Sequence, residues 1–214
     1  MHEVNYSDVE QGTKEWLDLR MGKMSASRAK DLLATVKYGE AAMYKNYRAE
    51  LTVERITGFR PERYVTKQME YGTETETVAA TMYSLQTGTV VAVCGIYTIE
   101  GKNVCASPDR LVGEDGLIEI KCRELANHIQ SIVDGKVPRE YYQQIQFQLW
   151  VTNRQWCDYV SYGDEMPENA QLFIKRIERD EDVINELIER SKQMEEDIAK
   201  MTETVTTFKL NKES

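Results

Sequence analysis

Residues 104–122 leave the chain little choice of fold. Two short apolar runs, at 110–112 and 117–122, flank Gly113-Glu114-Asp115-Gly116, and such a turn signal between such runs predicts a β-hairpin. Successive side chains of a strand point to opposite faces. Glu119 and Lys121 therefore share a face directed toward Asp109, while Ile118 and Ile120 point into a core. Asp109 follows Pro108 at the entry to the hairpin. Two carboxylates beside an ammonium make a site for a hard cation with a charge stabiliser next to it. A solvated hairpin presents charged side chains too, so this pattern alone leaves both readings open.

The flanking sequence predicts the layers around that hairpin. Residues 13–20 read as a short helix with Trp16, Leu17 and Leu19 inward. Ser25 or Ser27 caps a second helix through Leu33. A third spans 41–56 and ends at Thr57-Gly58. A fourth spans 75–86, with Val78, Ala79, Met82 and Leu85 at helical spacing and Gly88 as the stop. Strands follow at 89–93, 96–98, 104–106, 110–112 and 117–122, then helices at 126–134 and 139–151, and strands at 156–162 and 172–177. A last helix, 182–201, carries Ile184, Leu187, Ser191, Met194, Ile198 and Met201 as a heptad-like stripe, expected to pack on its own domain. The order predicts an α/β fold with a central mixed β-sheet flanked by helices.

A chain of 214 residues fits one domain. Its net charge of −9 is unevenly spread. Residues 20–67 hold eleven Lys or Arg against five acids, and residues 178–214 hold eleven acids against six bases. That segregation suggests a phosphate track in the N-terminal part and an acidic outer surface. Cys94, Cys105, Cys122 and Cys157 lack metal-ligand spacing, and His2 and His128 are the only histidines. They are expected to be reduced thiols, with Cys122 packing rather than acting as a nucleophile. No apolar run approaches the roughly 20 residues that span a bilayer, and no leader pattern opens the chain, so a cytoplasmic protein is expected.

Four blocks carry a resemblance. They are Gln11-Gly12-Thr13-Lys14-Glu15-Trp16-Leu17-Asp18-Leu19-Arg20-Met21-Gly22-Lys23-Met24-Ser25-Ala26-Ser27, then Gly72-Thr73-Glu74-Thr75-Glu76, then Cys105-Ala106-Ser107-Pro108-Asp109 through Glu119-Ile120-Lys121-Cys122, and Gln144-Ile145-Gln146-Phe147-Gln148-Leu149-Trp150-Val151-Thr152. In this order they resemble the lambda exonuclease family (YqaJ-type viral recombinases) within the PD-(D/E)xK nuclease superfamily, with its restriction-endonuclease-like core. The Asp…Glu-x-Lys core is shared by many nucleases; the first block is far more diagnostic. One departure is Gln143, where the family often has a small residue.

The resemblance implies an Mg²⁺-dependent 5′-to-3′ exonuclease on linear duplex DNA that leaves 3′ overhangs for recombination by strand annealing. It implies Asp109, Glu119 and Lys121 as catalytic residues, and Glu76, Asp109, Glu119 and the Ile120 carbonyl as ligands of Mg²⁺, or Mn²⁺ in its place, with two ions expected. Glu74 and Glu70 are rivals to Glu76. Arg20 with Ser25 and Ser27 would hold the terminal 5′-phosphate, and Gln144 would contact the scissile phosphate. Gln148, one helical turn on, is equally readable as solvent-exposed. Residues 1–70 would form a basic, helical DNA-end-binding part, 71–178 the catalytic core, and 179–214 an acidic helix and tail. Expected partners are DNA ends, two further copies in a homotrimeric ring, and a phage single-strand annealing protein. A restriction-type endonuclease or an inert DNA-binding scaffold would use the same core; an inert copy usually lacks a carboxylate or the lysine, and all are present here.

Overall fold

The computed structural model describes residues 2–60, 67–122 and 125–209, with backbone alone over 67–74. The elements run β1 (Val4–Ser7), α1 (Lys14–Arg20), β2 (Met24–Ser25), α2 (Ala29–Leu32), α3 (Ala42–Thr57), α4 (Lys67–Thr87), β3 (Ala92–Val93), β4 (Ile96–Ile99), β5 (Val104–Ala106), β6 (Arg110–Val112), β7 (Gly116–Cys122), α5 (Leu125–Asp134), α6 (Arg139–Thr152), β8 (Trp156–Tyr162), β9 (Leu172–Glu178) and α7 (Glu181–Thr206).

The strands form two mixed sheets, not one. A five-stranded sheet runs β3-β6-β7-β8-β9, and a four-stranded sheet runs β1-β4-β5-β2. In the larger sheet β7 and β8 are parallel and the other pairs antiparallel. A parallel pair needs a long crossover, and α5 and α6 supply it. Ser107 to Asp109 is the step from the smaller sheet to the larger, so Asp109 stands where the two diverge.

The hairpin closes as its residues require. Gly113 adopts φ +51° at the turn, and Val112 faces Gly116 across it. Gly116 lies under the Trp156 ring, where an added Cβ would come within 2.2 Å of Trp156. One face of the large sheet packs Ile118, Ile120 and Val160 on Ala79, Ala80 and Tyr83 of α4. The other packs Leu117, Cys157 and Tyr159 on Tyr141, Ile145 and Leu149 of α6. The remaining sides of α6, through Phe147, Trp150 and Val151, belong to the cluster that α2 and α7 complete. Helix α6 is therefore wedged between sheet and helical layer, and each large side chain it buries contributes about 1.5–3 kcal/mol.

Several expectations need correction. Strand 89–93 shrinks to Ala92–Val93, with Val90 and Val93 exposed at the sheet edge. Helix α4 begins earlier than residue 75 and buries Ala79, Ala80 and Tyr83, while Val78 and Leu85 face solvent. Helix α1 lies on the surface with no buried residue. Neither Ser25 nor Ser27 caps a helix with its side chain: Ser25 belongs to β2 and Ser27 to a 3₁₀ turn. Strand β1 was not anticipated at all.

The charge segregation also has a different meaning. Helix α3 packs on α7, and Arg55 forms a bidentate pair with Glu195 at 2.6 and 2.7 Å. Arg48 pairs with Glu40 and lies 3.7 Å from Asp197; Arg28 pairs with Asp31 and Glu50; Arg60 pairs with Glu54; Lys30 pairs with Glu140. Much of the expected phosphate track is thus neutralised within the fold, partly by the acidic helix itself. The stripe on α7 is used the same way, with Ile184, Leu187, Ser191, Met194 and Ile198 buried in the chain's own core. Arg63 and the Lys67 side chain lie outside the described residues. No helix among the described residues is long and apolar enough to cross a membrane.

Candidate active site

The hairpin register places Asp109 beside Glu119. The Asp109 N–H donates to the Ile118 carbonyl at 3.2 Å, and Asp109 Oδ2 accepts the Ile120 N–H at 2.6 Å. The first carries the β6–β7 pairing past the end of β6, and the second orients the carboxylate. Glu119 is 1 % exposed because α6 covers it. Its Oε1 accepts from Lys121 Nζ and from Gln144 Nε2, the latter at 2.5 Å, and its Oε2 accepts from Gln148 Nε2 at 2.6 Å. Lys121 Nζ also lies 5.1 Å from the centre of the Tyr141 ring. Gln148 is therefore buried against Glu119 and not solvent-exposed. Its spacing of one helical turn from Gln144 was the signal.

Burial and the neighbouring Glu119 hold the Asp109 carboxyl well above the ordinary carboxylate range; Lys121 pulls against them, and Glu76 adds to the upward shift. A divalent cation bound beside Asp109 would relieve that crowding of negative charge. The donor set is all oxygen, namely Asp109, Glu119 and the Ile120 main chain, which suits Mg²⁺ or Mn²⁺. Glu76 sits on α4 but is turned onto Arg110: Arg110 Nη1 donates to Glu76 Oε1 at 2.6 Å and to the Asp109 carbonyl at 2.5 Å. Among the described residues no three His, Cys, Asp or Glu side chains are already gathered as a cation cage, so Glu76 must leave or share Arg110 to join one. The side chains of Glu70 and Glu74 lie outside the described residues.

The first sequence block converges on the same loop. Trp16 Nε1 donates to Ser107 Oγ at 2.9 Å, and Gln11 Nε2 donates to the Pro108 carbonyl at 3.2 Å. The Arg20 guanidinium lies 4.1 Å from the centre of the Trp16 ring, and its Nη2 is 3.5 Å from Ser27 Oγ, which is 3.3 Å from Ser25 Oγ. The turn beneath is locked. Gly22 adopts φ +67°, its N–H donates to Glu54 Oε2 at 2.8 Å, and its carbonyl accepts from Arg55 Nε at 2.8 Å. The Ser25 N–H donates to Tyr47 Oη at 2.9 Å. A guanidinium fork beside two hydroxyls is suited to phosphate oxygens. Gln11, Trp16 and Ser107 as connectors, and Arg110 as the partner of Glu76, were not assigned these roles from sequence.

All four cysteines are free. Cys122 has its thiol pushed up to about 12, by burial first and then by Glu76 and Asp109. At that value it is protonated near neutral pH and a poor nucleophile.

A model of the YqaJ-like viral recombinase domain matches residues 15–155, which contain every residue of this site except Gln11. The chain belongs to the YqaJ-like viral recombinase family. An alkaline exonuclease from Laribacter hongkongensis, LHK-Exo, is 39 % identical over 91 % of this chain and 96 % of its own, with a TM-score of 0.81. The same protein in complex with dAMP superposes with a TM-score of 0.84. A phage-related exonuclease from Haemophilus somnus 129PT, 15 % identical, shares the fold over 86 % of this chain and 96 % of its own, with a TM-score of 0.68. No curated protein matches this sequence. The YqaJ-like fold here is of the PD-(D/E)xK type, with Asp109 just ahead of strand β6 and the Glu-x-Lys strand β7 at the centre of the larger sheet.

Proposed function

We propose that this viral recombinase-family nuclease is an Mg²⁺-dependent exonuclease that digests linear duplex DNA from the 5′ end and leaves a 3′ single strand for recombination by annealing. The observation that carries the reading is the Trp16–Ser107 hydrogen bond, which ties the Arg20–Ser27–Ser25 cluster to the loop bearing Asp109. An end-anchoring group at a fixed distance from the hydrolytic group is what removal of terminal nucleotides requires. The LHK-Exo complex adds support, since dAMP belongs to the class of product such an enzyme releases.

Asp109, Glu119 and the Ile120 carbonyl would hold the cation, joined by Glu76. A divalent cation bound there would supply the activation of water and offset charge on the phosphate. Lys121 turns from Glu119 to orient the attacking water and steady charge on the phosphate. Gln144, which also reaches Glu119 Oε1, contacts the scissile phosphate. Arg20, Ser25 and Ser27 receive the terminal 5′-phosphate. One chain of this size does not encircle a duplex, and the resemblance supports a homotrimeric ring with an annealing protein receiving the 3′ strand. The charge pattern does not add to that support, because the arginines of α3 are paired within the chain.

Incubation with 5′-phosphorylated linear duplex and with covalently closed circular duplex tests the reading. Mg²⁺-dependent loss of the linear form alone is expected. Cutting of the closed circle would favour a restriction-type endonuclease, and digestion in excess chelator would remove the cation from the account.

A further inference from the structure

The two carboxylate oxygens of Glu119 meet different kinds of partner. Oε1 faces Lys121 and Gln144, both partly exposed and both placed above on substrate. Oε2 meets Gln148, whose side chain is buried under the helical layer at 1 % exposure. An amide can face a carboxylate in one orientation only, because the flipped amide would set its carbonyl oxygen against the negative charge. The other end of this amide, Gln148 Oε1, is buried and has no hydrogen-bond partner among the described residues. No second contact competes for its orientation, and an apolar residue in the same space, between Ile145, Leu149 and Thr152, would avoid an unpaired carbonyl.

We infer that Gln148 is a positioning residue for cation binding, pinning Glu119 Oε2 so that Oε1 is the oxygen presented to the cation when Lys121 and Gln144 turn to the substrate. The inference rests on the reading of Asp109 and Glu119 as cation ligands. The partners of ligating carboxylates fix their direction, and loss of one typically weakens metal binding about 10–100-fold.

Gln148→Met keeps the length and removes the donor; Gln148→Asn keeps the amide but withdraws it by one methylene. Both are titrated with Mn²⁺ in a calorimeter without DNA, beside the unmodified chain. Gln146→Met is the control: Gln146 is fully buried on the same helix but bonds the Glu178 carbonyl and the Asp180 N–H, away from the site. The expected result is Mn²⁺ affinity about 10–100-fold weaker in the folded Gln148 variants, with the rate recovering toward that of the unmodified chain at saturating Mg²⁺. Gln146→Met should lower the melting temperature and leave Mn²⁺ affinity unchanged. A folded Gln148 variant with unaltered Mn²⁺ affinity would overturn the inference, as would an equal loss in Gln146→Met. Absence of Mn²⁺ binding by the unmodified chain would instead overturn the ligand assignment beneath it.

Discussion

Trp16 and Ser107 are joined by one hydrogen bond of 2.9 Å across 91 residues of sequence. The same indole ring carries the Arg20 guanidinium on its face. One side chain thus spaces the proposed phosphate anchor from the loop that bears Asp109.

Trp16→Phe keeps a ring for Arg20 and deletes the bond to Ser107. It should cost about 1 kcal/mol of stability and slow digestion of 5′-phosphorylated ends. Arg20→Ala should instead reduce the preference for phosphorylated over hydroxyl ends more than the basal rate, because the anchor and not the chemistry is lost. The rate ratio for the two kinds of end measures both effects. An unchanged ratio with uniformly slower digestion in Arg20→Ala would assign Arg20 to general backbone contact or folding.

Lys121→Ala should lower the rate by at least about 100-fold, in the range expected for a lost group that orients a nucleophile, while Mn²⁺ binding persists. Glu119→Ala should lose both. Calorimetric titration separates the two variants, and equal loss of Mn²⁺ affinity would give Lys121 a structural role.

Asp109 carries the clearest pH signature. Its carboxyl is held above the ordinary range chiefly by burial and by Glu119, so the folded chain binds this proton more tightly than the unfolded chain. The resulting stabilisation is complete below the unfolded carboxylate pKa of about 4 and is lost as pH rises through the folded value. In chelator, stability should fall over that window. Asp109→Asn should flatten the fall and melt higher at neutral pH, by about 2–4 °C for each kcal/mol relieved in a chain of this size. Mg²⁺ should stabilise the unmodified chain and not the variant. Thermal melts at stepped pH check this; parallel curves would mean that the fold does not hold the proton.

The proposed ring predicts a mass of three 24.8 kDa chains by light scattering after gel filtration. A single-chain mass at micromolar concentration would remove the ring, and with it the expectation of processive digestion.

The hairpin of Asp109, Glu119 and Lys121 was legible because its causes are local: a glycine turn, alternation along a strand, and register across two short strands. The helices α3 and α6 were legible within a few residues for the same reason. Features set by packing were not. Which face of α4 is buried depends on how it lies over Ile118 and Ile120, so Tyr83 went inward and Leu85 outward. Gln148 reads equally well as exposed until α6 is laid against β7, and nothing in the sequence spacing shows that Arg110 reaches Glu76. The basic and acidic segments were read as two surfaces, whereas α3 and α7 pair their charges against each other.

Strand polarity tests the central claim most directly. A linear duplex with 5′-phosphates, labelled at the 5′ end in one sample and the 3′ end in the other, is digested with Mg²⁺ and sampled early. The account predicts prompt release of the 5′ label as mononucleotide, with the 3′ label retained on long single strands. Release of the 3′ label first, or of both labels together on short fragments, would contradict it.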